Sequence, residues 1–342
     1  MRDARDDKRF IDDFIPRVSR TFALAIKFLP PRLRHSVFTA YLLCRVADTI
    51  EDSPILESNE KHERLIRLKK ILIDASNDRE LSGPEIDSLY DSISMADGHD
   101  HRLLAQSRQL FDILGRLPRP KQRIIYRWAG EMAAGMAEFS QSPGAGDGVT
   151  ALADEAEWDR YCYYVAGTVG QMLTELIISE YKIDPDISTR LLQLCNSFGL
   201  GLQKVNTIKD VPQDRERGRI YLPESTMRRH SLRPEILVMA GNHESVRAFV
   251  FELARGTWKH LDDAIEYTRL VPPHLKGVRM FLTVPIFLAA GTLGAIMKNP
   301  IQTMTGPPVK ISRRDVARLT AAAGLHSSSN ARLVDYFRHL KK

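Results

Sequence analysis

Cysteine is scarce and unpatterned: Cys44, Cys162 and Cys195 are the three in a chain of 342 residues. An odd, scattered set without C-x-x-C spacing excludes a disulfide framework and a structural zinc site. It suits a reducing compartment, and a cytoplasmic location is expected. Strand signals are few. No G-x-G-x-x-G follows a strand; Gly199-Leu200-Gly201 lacks the third glycine and sits in helical sequence, so a Rossmann nucleotide site is not expected. Internal repeats and low-complexity linkers are missing. The first residues, MRDARDDKR, are too charged for a secretory signal, and the last, DYFRHLKK, are too polar for a tail anchor, so neither is expected.

What is present is a sizeable supply of core residues. Hydrophobic residues make up 43% of the chain and charged residues 27%. The net charge of +6 suits anionic partners: phosphates, nucleic acid or an acidic membrane surface. One stretch, Met280 to Met297, carries no charge and lies between Arg279 and Lys298. It reaches the lower length limit for a membrane span. Pro285, Gly291, Gly294, Thr283 and Thr292 within it favour a buried core helix, with a membrane-contacting helix as the alternative.

Apolar residues at three- and four-residue spacing predict helices over 9–28, 32–52, 58–76, 100–116, 119–140, 151–181, 187–212, 243–269, 274–298 and 312–323. Residues 77–99 read as a loop with a short helix. Pro30-Pro31, Pro54, Ser82-Gly83-Pro84, the glycine-rich run 142–148, Pro223, Pro272-Pro273 and Gly306-Pro307-Pro308 punctuate the pattern. The expectation is one all-α domain over 1–342, with its core at about 9–323.

Two acidic motifs stand out. In YLLCRVADTIED, residues 41–52, Asp48, Glu51 and Asp52 sit at i, i+3 and i+4 and share one helix face, with Arg45 a turn earlier. Like charges so spaced repel by about 0.2–0.5 kcal/mol per pair, and a cation relieves the repulsion. Magnesium takes hard oxygen ligands, typically one or two carboxylates with substrate phosphate oxygens and water. A lone D-x-x-E-D more often marks a solvated helix end. Here the turns before it, Val37 to Ala47, are largely apolar, which places the carboxylates at the end of a buried helix.

The second motif lies in 202–223. Asn206, Asp210 and Asp214 recur every four residues, a face again suited to Mg²⁺, while Lys209, Arg215, Arg217 and Arg219 interleave as direct phosphate contacts. Pro212 is expected to tighten or end the helix, which leaves the place of Asp214 open. Two such faces match a diphosphate leaving group clamped with metal from two sides. A nucleic-acid binder would gather its bases on one face with few acids between; here the two interleave, so no nucleic-acid partner is expected. A catalytically silent helical scaffold is the other alternative, and the intact acidic motifs argue against it.

These residues resemble the squalene/phytoene synthase family. Ser19-Arg20-Thr21-Phe22 is similar to its substrate-binding opening segment, and Asp48-Thr49-Ile50-Glu51-Asp52 to its first aspartate-rich motif. Residues 161–170, YCYYVAGTVG, look like its central signature. Gln203 to Asp210, followed by Asp214 and Arg219, looks like its second motif. Val309-Lys310-Ile311 resembles a late segment of the reductive members. Two positions depart from the family pattern: Gln213 stands where Glu is usual, and Lys209 where Arg is common. The family's eukaryotic members carry a C-terminal membrane anchor, and a bacterial-type or truncated enzyme is implied.

The resemblance implies an isoprenoid-synthase fold with a central cavity and a head-to-head condensation of two farnesyl diphosphates. Presqualene diphosphate would form first and be reduced to squalene by NADPH. The nearest alternative is an enzyme that ends at presqualene diphosphate, dehydrosqualene or phytoene. It implies Asp48, Glu51, Asp52, Asn206, Asp210 and Asp214 as Mg²⁺ ligands. Ser19, Arg20, Arg45, Gln203, Lys209 and Arg219 would bind diphosphate. Tyr161 and Tyr41 are the candidates for proton transfer. Phe22, Val165, Val169 and Phe281 would line the cavity and keep water from a carbocation. Lys310 and Arg313, with Arg314 beside them, and Tyr267 are the candidates for binding NADPH. A monomer that touches the membrane peripherally to release product completes the expectation.

Overall fold

The computed structural model describes residues 10, 14, 20–90, 99–141, 149–237 and 243–342. In chain order the elements are α1 (Arg20–Ile26), α2 (Pro31–Glu51), α3 (Ser58–Ser76), α4 (Gly83–Asp87), α5 (His99–Ala105), α6 (Ser107–Gly115) and α7 (Arg119–Ser140). Strand β1 (Thr150–Leu152) and helix α8 (Glu155–Cys162) follow. A π-helical turn (Tyr163–Gly167) then leads into α9 (Thr168–Glu180). The rest is α10 (Pro185–Lys209), α11 (Val211–Glu216), β2 (Arg219–Pro223), α12 (Glu224–Arg229), α13 (His243–Leu270), α14 (Lys276–Lys298), α15 (Pro300–Thr305), α16 (Arg313–His326) and α17 (Asn330–Leu340). Among the described residues the fold is all-α apart from the short parallel pair β1–β2. The chain gathers into two compact units, Met1–Ser142 with Thr168–Asp184, and Pro143–Gly167 with Pro185–Lys342.

In the first unit α2 is the central rod. It starts on Pro31, whose missing N–H costs nothing in a first turn, and stops before Ser53-Pro54. Leu33, Val37, Leu42, Leu43, Val46 and Ile50 are all buried. At about 1.5–3 kcal/mol for each fully buried aliphatic side chain, this burial outweighs any weakness in helix propensity. Helices α3 and α7 lie against each other and against α2. The capping box of Glu57 and Glu60 starts α3. Pro118 and Pro120 frame the start of α7, where Gln122 donates to the carbonyls of Gly115 (2.9 Å) and Leu117 (2.6 Å).

In the second unit α10 and α13 pack along their length, and α14 packs against both. Helix α14 is the uncharged stretch identified in the sequence. It is long and apolar enough to cross a bilayer, and 72% of its most apolar window is buried. Phe281, Leu282, Val284, Ile286, Phe287 and Leu293 fill the core there. The same helix buries Arg279 completely. Its guanidinium donates to the carbonyls of Ser327 and Val271 and to Asn330 Oδ1, at 2.5, 2.7 and 2.6 Å. Burial lowers its pKa from the usual arginine value. The clamp ties the α16–α17 turn to the α13–α14 turn. Helix α17 adds Phe337, whose ring meets Trp258 edge-on at 5.9 Å.

Several expected boundaries shift. The helix expected over 100–116 breaks at Gln106, and of the one expected over 9–28 the described helix is Arg20–Ile26. The span 151–181 begins as a strand, and its helix widens by a π turn. The helix expected over 187–212 ends at Lys209, because Pro212 has no N–H to give the carbonyl of Ile208. Helix α17 was not expected: it buries little more than Leu333 and Phe337, too sparse a stripe to read.

Candidate active site

The first unit holds the first acidic motif. Tyr41, Arg45, Asp48 and Asp52 fall at i, i+4, i+7 and i+11, one stripe along the end of α2. The first three are half-buried between fully buried neighbours, and Asp52 is exposed. The Phe22 ring from α1 lies 4.7 Å from the Tyr41 ring, tilted by 34°. Arg45 Nη1 donates to Asp48 Oδ2 at 3.2 Å. Burial, and then the negative field of Asp48, push the Cys44 thiol well above the usual range, so it stays protonated. Glu51 is half-buried on the final turn, and Asp52 closes the helix with its N–H on the Asp48 carbonyl at 2.8 Å. Three carboxylates thus crowd the negative end of a helix dipole, each disfavoured there by about 0.3–1 kcal/mol. A cation at that end relieves both the dipole and the mutual repulsion.

The second unit holds the central signature and the second motif. Near the end of α10, Lys209 Nζ lies 3.2 Å from both Asn206 Oδ1 and Asp210 Oδ2, and Asn206 Nδ2 is 3.5 Å from Gln203 Oε1. Regular helix stops at Asp210 and resumes as α11. Yet Asp210 N–H bonds the Asn206 carbonyl (2.9 Å) and Asp214 N–H bonds the Asp210 carbonyl (3.0 Å). Asn206, Asp210 and Asp214 therefore keep one-turn spacing across the break. Pro212 falls in the first turn of α11, where no N–H is required. Beyond it Gly218, with φ 77°, makes the turn into β2, a conformation open to glycine at no cost.

Strand β2 alternates: Ile220 and Leu222 are buried, while Arg219 and Tyr221 share the half-buried face. Tyr221 stacks flat on Tyr161 of α8, centroids 4.2 Å apart and planes 15° apart. The Arg219 guanidinium lies 5.0 Å from the Tyr221 ring centroid. Beside Tyr161, the buried Lys204 reaches Asp159 in an ion pair and sits 4.2 Å from the Trp158 ring centroid. The Trp158 indole donates to Thr207 Oγ1 at 3.0 Å. The π turn lies against α10 at Gly199, where an added Cβ would stand 2.4 Å from the Ala166 carbonyl oxygen. Only glycine admits that approach.

The other expected residues fall as follows. Ser19 and the side chain of Arg20 lie outside the described residues. Val165 on the π turn and Val169 on α9 are half-buried; Phe281 is buried in α14. Tyr267 is a core residue, 2% exposed, with its ring 5.4 Å from that of Phe198. Lys310 and Arg313 are exposed around Ser312, which caps α16 by accepting from Asp315 N–H at 3.1 Å. A cleft of about 850 Å³ sets Pro212, Gln213 and Arg215 of the second motif beside Gly306-Pro307-Pro308, just before that basic segment. Tyr221, Trp158, Asp159 and Lys204 were missed by sequence reasoning. The apolar alternation of Ile220 and Leu222 is the signal that exposes β2, and with it Tyr221.

Among the described residues, no three His, Cys, Asp or Glu side chains converge to hold a metal unaided. The donors in both motifs are carboxylate and amide oxygens. They fit an ion that completes its shell with phosphate oxygens and water, as magnesium does. The exposed cations at Lys310 and Arg313 likewise fit phosphate groups of a nucleotide.

Compared with protein-family models, residues 15–315 match one described as squalene/phytoene synthase. The chain belongs to the squalene/phytoene synthase family. The family's substrates are prenyl diphosphates, and it typically uses Mg²⁺. Among curated proteins this family member is 28% identical, over 93% of its length, to the squalene synthase of Schizosaccharomyces pombe. It spans 65% of that relative's length. Among solved structures it resembles a complex of TcSQS with a ligand, with a TM-score of 0.78, 25% identity, and coverage of 98% of this chain and 96% of the other. It also shares the fold of a dehydrosqualene synthase, with a TM-score of 0.66, 22% identity, and coverage of 93% and 95%.

Proposed function

We propose that this chain joins two farnesyl diphosphates head to head through presqualene diphosphate and reduces the product to squalene with NADPH. The observation that carries the reading is the end of α2, where Arg45 and Asp48 are paired below Tyr41 and beside Glu51 and Asp52. Cation and carboxylates together are what a departing diphosphate needs: a guanidinium for its oxygens and carboxylates for a metal. Relatives named squalene synthase support the product assignment.

Asp48, Glu51 and Asp52 of the first unit, and Asn206, Asp210 and Asp214 of the second, are the proposed Mg²⁺ ligands. Bound magnesium supplies charge neutralisation for the leaving group. Arg45, Lys209 and Arg219, with Ser19, Arg20 and Gln203, bind diphosphate oxygens directly. Tyr161 and Tyr41 are the proton-transfer candidates. The ring of Tyr161 also offers a π face to a carbocation. Val165, Val169 and Phe281 exclude water. Lys310 and Arg313 hold the phosphates of NADPH, with Tyr267 as support from the core.

The test is incubation with farnesyl diphosphate and Mg²⁺, with and without NADPH, followed by identification of the hydrocarbons. Squalene formed with NADPH is the expected outcome. Absence of diphosphate release under both conditions sinks the enzyme reading. Diphosphate release without squalene in the presence of NADPH moves the assignment to a synthase that ends earlier.

A further inference from the structure

The proton-transfer candidate Tyr161 and the diphosphate-binding candidate Arg219 come from segments far apart in the chain. One side chain joins them. The Tyr221 ring carries Tyr161 on one contact, at 4.2 Å and nearly parallel, and the Arg219 guanidinium on another, at 5.0 Å. We propose that Tyr221 is a positioning residue that holds the Arg219 guanidinium in the orientation that binds diphosphate and keeps the Tyr161 ring in register with it. This inference rests on the function proposed above.

The physical case begins in the backbone. A strand repeats its side-chain direction every second residue, so Arg219 and Tyr221 must share a face. Pairing of β2 with β1 is in register at Thr150 opposite Arg219 and Ala151 opposite Ile220 and slips beyond, where Leu152 meets Pro223; the alternating burial along residues 219–222 shows which face it is. Ile220 and Leu222 are each fully buried on the opposite face and lock it. An arginine on a flexible stem loses rotamer freedom on binding an anion, and that loss weakens binding. A guanidinium already held over an aromatic ring has lost part of that freedom beforehand. The contact needs the ring and not the hydroxyl. Tyr161 in turn is only 6% exposed and stacked on that same ring, so loss of the ring leaves both partners without a wall.

This separates a positioning role from plain packing. Tyr221→Phe keeps the ring, and Tyr221→Leu keeps apolar bulk without it. The experiment measures initial rates with farnesyl diphosphate and Mg²⁺ and, in parallel, the binding of inorganic pyrophosphate by titration calorimetry. For Tyr221→Phe we expect KM and pyrophosphate affinity within twofold of the unaltered chain. For Tyr221→Leu we expect KM to rise and pyrophosphate affinity to fall, each about tenfold, at unchanged helix content, with a smaller drop in kcat. Pyrophosphate affinity unchanged in Tyr221→Leu overturns the proposal, as does an equal loss in the Phe and Leu variants. If Tyr221→Leu loses its fold, Arg219→Gln in the Tyr221→Phe background decides. Affinity there equal to that of Tyr221→Phe alone removes Arg219 from the binding site and overturns the proposal. An unaltered chain that neither binds pyrophosphate nor releases it from substrate defeats the proposed function first, and this inference with it.

Discussion

Lys204 is buried in α10 with its ammonium over the Trp158 ring and its charge paired with Asp159, whose own side chain is half exposed. The two partners are unequal in how easily each recovers when the other is removed. Asp159 can turn to water; Lys204 cannot.

Asp159→Asn should therefore destabilise the second unit more than Lys204→Met does. The first removes the counter-charge of a cation held in the core and leaves it a neutral amide and an aromatic face, and a loss of about 2–4 kcal/mol is expected. The second removes the cation–π contact but keeps apolar bulk, with a loss of about 1 kcal/mol. Urea denaturation midpoints of the two variants check the order; a reversed order contradicts it.

Asp48→Asn should stop diphosphate release without unfolding the chain. The substitution removes one oxyanion from the end of α2 and puts a neutral amide in place of the charged 3.2 Å partner of Arg45. A loss on the order of 10²-fold or more in turnover is expected, by analogy with removing one preorganised charge-stabilising group. Pyrophosphate release and far-ultraviolet circular dichroism, measured together, check it.

Gly199→Ala should damage the contact between α10 and the π turn. The new methyl would meet the Ala166 carbonyl at 2.4 Å, and backbone on both sides leaves little room to shift. Overpacking of this kind costs about 1–3 kcal/mol. Because the π turn carries Val165 and follows Tyr161, turnover should fall as well. Thermal midpoint and rate measured on the same preparation check both parts.

Acid should weaken the second unit through His260. Its pKa is lowered by burial first and by Lys204 second; Lys259 also lowers it, while Asp159 and Asp263 pull the other way. Its Nδ1 lies 2.7 Å from Ser197 Oγ, which donates to Asp263 at 2.6 Å. In the folded chain the neutral imidazole is thus favoured. The unfolded chain binds its proton near pH 6.5, before the folded chain does. The stability His260 contributes is complete above that pH and is lost as the pH falls below it. His260→Gln should flatten the fall in thermal midpoint between pH 7 and 5. A slope equal to that of the unaltered chain contradicts the assignment.

Much of this was legible in the order of residues. Helices α2, α3, α7, α13 and α14 start and stop within two residues of their expected limits, because Pro or a cap punctuates each. The two acidic faces were legible because helical spacing alone brings Asp48, Glu51 and Asp52 together, and Asn206, Asp210 and Asp214. The rest depends on partners far away in sequence. A three-residue strand such as Thr150–Leu152 has no period of its own to read and forms only when Arg219–Pro223 arrives beside it. Tyr221 and Lys204 acquire their meaning from Tyr161 and Trp158, which no spacing rule connects to them. The π turn leaves no trace in hydrophobic periodicity.

The Arg279 clamp constrains how such a chain can change over time. Two of its three short contacts are to main-chain oxygens, those of Ser327 and Val271. Any residue offers the same oxygen, so the side chains at 327 and 271 can drift at no expense to the clamp. Loop length cannot. One residue gained or lost between α16 and α17 moves the acceptor away from a guanidinium that has no water to turn to. Selection at that turn would act on spacing and on Asn330, whose side chain makes the third contact, and leave almost no other signature in residue identity.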